Sequence, residues 1–141
     1  MGDFAQNGFV TTLHNFGTKS VQQFEEELKT FSGYRPMELI LPSLYSELEG
    51  PALKHIVEQI SQVDYISHVI IGLDKADKEQ FLHASHFFSK LNKPCSLLWN
   101  DGPRLRAIHD ELEDMQLAPT ELGKGRNVWY CIGLAHARGK A

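Results

Sequence analysis

Three short apolar runs, each ended by a polar turn and followed by a helical pattern, constrain this chain more than any other feature. The first is Leu39-Ile40-Leu41, ended by Pro42; the second is Val69-Ile70-Ile71; the third runs from Cys95 to Trp99. Runs apolar on both faces read as buried strands of a parallel sheet. Pro42 has no N–H for a ladder, so the chain is expected to leave a central strand there. The helical patterns between the runs supply the crossovers. Pro51 suits a first helical position, and Leu53, Ile56, Val57, Ile60 and Val63 form a stripe behind it. Asp77 with Gln80 marks a second start, before Phe81, Ala84, Phe88 and Leu91. Leu105, Ile108, Leu112 and Met115 give a third helix. Such alternation predicts an α/β domain with a mostly parallel sheet and right-handed crossovers.

Upstream, Ser20 with Gln23 forms a capping box, and Val21, Phe24, Leu28 and Phe31 share a helix face that Gly33 is expected to end. Residues 1–19 read as a loose arm able to dock through Phe4, Phe9 and Phe16. Downstream, Val128 to Ala137 reads as a last helix closed by Gly139.

The formal charge of −4 lacks the basic footprint of a nucleic-acid binder. No stretch reaches the roughly 20 apolar residues of a membrane span. The N-terminus does not read as a signal peptide, which points to the cytoplasm. Cys95 and Cys131 are expected to be buried free thiols rather than a disulfide.

The carboxyl ends of parallel strands are where open α/β sheets bind ligands. Ser46 and Glu47, Asp74 and Asp77, and Asn100 and Asp101 follow the three runs. Their carboxylates suit a ribose hydroxyl or a base N–H. Capping of the next helix explains Asp77 and Asp101 as well, and for Asp74 both readings stand. Arg104 suits either an ion pair with Asp101 or a phosphate. Gly123-Lys124-Gly125-Arg126 precedes a helix, where free N–H groups and two cations suit an anion. It has neither the Walker A spacing nor a dinucleotide fingerprint. An anion site and a surface turn both remain open. His83 and His86 lack a third zinc ligand nearby. Ser43 and Ser46 are not in a nucleophile elbow.

Taken in order, these pieces resemble the start of the retaining nucleotide-sugar glycosyltransferases of the GT-A fold, of the glucosyl-3-phosphoglycerate synthase and mannosylglycerate synthase type. The likeness covers Met37 to Gly139. Leu39 to Glu47 is similar to the family's first-strand motif, where backbone and an acidic residue hold base and ribose. That implies donor contacts for Pro42, Leu44, Ser46 and Glu47. Related sequences often carry Asn-Glu-Glu where this chain has Tyr45-Ser46-Glu47, so Glu47 inherits the acidic role. Ile71 to Asp74 is similar to the turn that contacts the base. Gly123-Lys124-Gly125 followed by Asn127, Val128 and Trp129 resembles the segment whose lysine contacts the donor. Trp99 to Arg104 is also similar to the family.

The resemblance implies a three-layer Rossmann-like fold, the N-terminal half of a GT-A domain, with residues 1–36 as arm and helix and residues 37–141 as the nucleotide-sugar-binding half. It implies a UDP- or GDP-sugar donor and a small hydroxy-acid acceptor such as 3-phosphoglycerate or glycerate. The family's Mg²⁺ or Mn²⁺ sits on an Asp-x-Asp motif in the next strand, yet no Asp or Glu follows Glu121 here. The expectation is therefore a truncated chain with no catalytic residue and no metal ligand of its own. The missing strand would leave the first one as an apolar edge prone to self-association. A non-catalytic Rossmann-like module that binds a nucleotide or a partner is the alternative.

Overall fold

The computed structural model describes residues 19–139, and the arm with Phe4, Phe9 and Phe16 falls outside them. Among these residues the chain folds as α1 (Val21–Tyr34), β1 (Met37–Leu44), α2 (Pro51–Gln62), β2 (Ile66–Asp74), α3 (Lys78–Phe88), β3 (Cys95–Trp99), α4 (Pro103–Asp114) and α5 (Lys124–Arg138). A 3₁₀ turn, Tyr45–Glu49, follows β1. The architecture is α/β and Rossmann-like, with three parallel strands in the order β1-β2-β3.

β2 takes the centre because its residues from His68 to Asp74 can all be buried there. Val69, Ile70, Ile71 and Leu73 are all inaccessible to solvent. Each contributes about 1.5–3 kcal/mol by leaving water. β1 aligns beside it, Leu39 opposite Val69 and Leu41 opposite Ile71, and its apolar residues Met37, Leu39, Ile40 and Leu41 are only half-buried. β1 is therefore an edge strand among the described residues, not a central one. That position corrects the expectation for Pro42. The strand runs through it to Leu44, with Pro42 opposite Gly72, because an edge strand tolerates a missing ladder donor.

One core face joins Val69, Ile71 and Leu73 to Leu53, Val57 and Ile60 of α2 and to Ala84 and Phe88 of α3. The other face carries α5. Gly72 makes that contact possible: a Cβ there would lie 1.7 Å from Asn127 Oδ1 and 2.6 Å from Cys131 Sγ. In the space so freed, Asn127 Nδ2 donates to the Gly72 carbonyl at 2.8 Å. Arg126 Nη2 donates to Asp74 Oδ1 at 3.1 Å, and Arg138 Nε to Glu38 Oε1 at 3.1 Å. These three bonds staple α5 antiparallel to the strands, with its N-terminus at their carboxyl ends.

Several local features follow the sequence and several do not. Ser20–Gln23 and Asp77–Gln80 are capping boxes, and Pro51 opens α2. Gly33 does not end α1, which continues to Tyr34 and caps on Arg35. No carbonyl needed a left-handed residue there, because the Arg35 N–H reaches Phe31 O in extended geometry. Ile56 is exposed rather than part of the α2 stripe. α5 begins four residues earlier than expected, at Lys124. Gly123 caps it with φ 146°, a backbone region open to glycine. The cysteines are both free, but Cys95, at the first position of β3, is exposed. No helix described here is long and apolar enough to cross a membrane.

Candidate functional site

A cavity of roughly 220 Å³ opens where the carboxyl ends of β1 and β2 meet the start of α5. Pro42, Leu44, Glu47, Asp74 and Lys124, five of the six residues singled out in the sequence, line it together. Ser46 does not; it is exposed on the 3₁₀ turn. Four further lining residues, Ser43, Lys75, Gly123 and Asn127, were not singled out for this site as contacts of their own. Ser43 is 3% exposed and its hydroxyl has no partner. Its neighbours in the strand motif were the signal that could have found it. Lys75 carries φ 55°, an unusual backbone for a residue with a side chain, and nothing in its local sequence announces that.

Two carboxylates at the rim already have work. Glu47 Oε2 accepts from the Leu44 N–H at 2.9 Å, which holds the 3₁₀ turn closed. Asp74 is 3% exposed and shares Oδ1 with Arg126. The cationic side is freer. Among the described residues neither Lys75 nor Lys124 makes an ion pair, and both side chains are exposed. The first N–H groups of α5 have no intrahelical carbonyl to bond. Together with the helix dipole they make the Lys124 end a favourable place for an anion.

The turns after β2 and β3 are tied to each other. Ala76 N–H donates to Asp101 Oδ2 at 3.1 Å, and Trp99 Nε1 donates to Ala76 O at 2.7 Å. Asp101 is thus spent on the neighbouring turn rather than on Arg104. Trp99 also stacks on Phe81, with ring centroids 4.8 Å apart. The capping reading holds for Asp77, whose carboxylate accepts from Gln80 N–H at 2.9 Å. His83 bonds the Tyr45 hydroxyl at 3.0 Å.

A second, larger cavity of roughly 600 Å³ adjoins the first and shares Asp74, Lys75 and Gly123 with it. Its far wall is formed by α4 and α5, where His109 Nδ1 and the Tyr130 hydroxyl are hydrogen-bonded. Among the described residues no three His, Cys, Asp or Glu side chains group closely enough to hold a metal ion.

Glucosyl-3-phosphoglycerate synthase of Persephonella marina is 41% identical over 133 residues, covering 94% of this chain and 33% of that protein. Glucosyl-3-phosphoglycerate synthase of Methanococcoides burtonii is 34% identical over 134 residues, with the same two coverages, 94% and 33%. The chain spans about a third of the length of these curated relatives. No protein-family model and no solved structure matches it.

Proposed function

From a chain that resembles glucosyl-3-phosphoglycerate synthases over 94% of its length, we propose that it supplies the donor-binding part of a hexosyltransferase. The donor is a nucleoside diphosphate sugar, and the acceptor is a small hydroxy acid of the 3-phosphoglycerate type. The reading rests above all on one observation. Pro42, Leu44, Glu47 and Asp74, from two strand ends, meet Lys124 at a helix N-terminus around a single cavity.

In this reading residues 37–141 form the nucleotide-sugar unit and residues 1–36 stand outside it. The diphosphate lies against the free N–H groups of α5 and the Lys124 ammonium. Both offset negative charge without needing to move. The backbone of Pro42 to Leu44 and the turn closed by Glu47 shape the floor for the ribose. Asp74 orients Arg126, and Gly72 keeps α5 seated so that Lys124 faces the rim.

The divalent cation implied by the resemblance does not fit the residues here. The buried carboxylate at the cavity is already paired with Arg126, and among the described residues no group of three His, Cys, Asp or Glu side chains could hold a metal ion.

Calorimetric titration with UDP and GDP tests the donor claim. Heat with at least one nucleotide, lost in Lys124→Ala, is the expected result. Absence of heat with both at millimolar concentration would overturn it.

A further inference from the structure

Among the described residues nothing pairs with β1 on the side away from β2. The backbone groups left on that side follow from the ladder. Val69 N–H donates to Pro94 O, and Leu73 O accepts from Asn100 N–H, so these residues of β2 bond towards β3. Bonding direction alternates along a strand, so Ile70 and Gly72 bond towards β1. They stand opposite Ile40 and Pro42, and a parallel ladder then takes its β1 partners from Leu39, Leu41 and Ser43. Glu38, Ile40, Pro42 and Leu44 therefore turn their backbone groups outward. Pro42 has no N–H to offer, and Glu47 Oε2 already holds the Leu44 N–H at 2.9 Å. The outer edge keeps donors at Glu38 and Ile40, while its acceptors extend to Pro42.

Edge strands are commonly guarded by charge. This one is not. Glu38 is the one charged residue of β1, and its side chain is 4% exposed and paired with Arg138. On the α2 face a groove of roughly 280 Å³ is lined by Leu41 and Pro42 of the edge and by Ala52 and Ile56 of α2. Ile56 is 42% exposed. Lys54 and Glu58 lie two positions to either side of it and so project away from the groove. Glu47 also lines the groove, where its carboxylate is engaged by Leu44. What covers this edge must bring apolar, uncharged side chains and cannot extend past Pro42, because Glu47 occupies the outer side of Leu44.

We propose that the β1 edge pairs with the β1 edge of a second copy, antiparallel about a two-fold axis at Ile40. The longest pairing within those limits, Glu38 to Pro42 on both copies, centres there. In that register the Ile40 N–H of each copy donates to Ile40 O of the other, and each Glu38 N–H donates to Pro42 O. Every donor that the edge retains is used, and the donor missing at Pro42 faces only the Glu38 carbonyl. Leu39 and Leu41 pack on the α2 face of the sheet. Leu39 of one copy comes to lie across from Leu41 of the other, next to the groove under Ile56. The two surfaces are identical and uncharged, so no like charges are brought together in a two-fold contact. The pairing does not depend on the donor-binding reading.

Sedimentation equilibrium on the chain, on Ile56→Lys and on Phe31→Lys tests the surface. Phe31 is 62% exposed on α1, outside the groove, and serves as the control. The chain should dimerise. Ile56→Lys should raise the dissociation constant at least about tenfold, because it places an unpaired charge in an apolar contact, and Phe31→Lys should leave it unchanged. Both positions are exposed, so both variants should fold. The register is read by mild oxidation on a Cys95→Ala background. Ile40→Cys should link to itself, since the Cα atoms of such a pair lie about 5.5 Å apart. Leu44→Cys should not, because its copies lie roughly 25 Å apart. A monomer at every concentration overturns the proposal. So does a dimer that Ile56→Lys leaves intact, that Phe31→Lys weakens equally, or that fails to link through Ile40→Cys.

Discussion

Gly72→Ala couples the fold to the proposed site. The new Cβ would sit 1.7 Å from Asn127 Oδ1 and 2.6 Å from Cys131 Sγ. Both atoms belong to buried residues of α5, so neither can swing into solvent. The helix must move away from β2 or the Asn127 side chain must leave its place. Overpacking of this kind costs about 1–3 kcal/mol. Loss of the 2.8 Å bond from Asn127 to the Gly72 carbonyl strands a buried acceptor, at a further cost of about 1–3 kcal/mol. The sum, about 2–6 kcal/mol, is a large part of the stability of a domain this size. Thermal unfolding followed by circular dichroism should show a melting temperature lower by about 10 °C or more. The displacement also shifts Lys124, so any nucleotide affinity should fall in protein that is still folded at low temperature. Gly72→Ala combined with Asn127→Ala should recover only part of the loss, because the contact with Cys131 remains. A single Gly72→Ala variant melting within about 2 °C of the wild type would refute the close packing of α5 on β2.

Other predictions follow from the same contacts. Arg126→Ala leaves Asp74 buried without its partner and should destabilise by about 3–5 kcal/mol in chemical denaturation; a loss under about 1 kcal/mol would deny the pair its role. Burial pushes the Cys131 thiol up from its ordinary 9 to about 11, whereas Cys95 is exposed with a thiol raised only by partial desolvation. A thiol reagent at pH 8 should therefore label Cys95 first by mass spectrometry, and Cys131 only on unfolding. The folded state holds the Cys131 proton more tightly than the unfolded state does. Its contribution is intact below pH 9 and is lost as pH rises towards about 11, so stability should decline across that window. β1 presents an edge with half-buried Leu39 and Leu41, which we expect to pair with a second copy. Light scattering at rising concentration should show dimers, and a monomer throughout would contradict this.

Much of the fold is written locally. Ser20 with Gln23, Asp77 with Gln80, and Pro51 mark their helix starts because caps depend on residues three apart or on one fixed φ. The three strands were legible because their apolar runs are short and continuous. What could not be read depends on partners distant in sequence. Pro42 stays in its strand because β2, not β1, holds the centre. Cys95 is exposed because β3 ends the sheet beside it. The Asn127–Gly72 and Arg126–Asp74 contacts join residues 55 and 52 positions apart, and no local pattern announces them. The site was legible in part for the same reason. Strand ends and a glycine-flanked lysine can be seen in the letters, whereas the burial of Ser43 exists only once the strands have packed.

The most direct test of the donor pocket is a crystal structure of the chain soaked with UDP. The account predicts the diphosphate within hydrogen-bonding distance of the α5 N-terminal amides and Lys124, between the Pro42–Glu47 turn and Asp74. Nucleotide bound elsewhere on the molecule, with that cavity filled only by solvent, would contradict it.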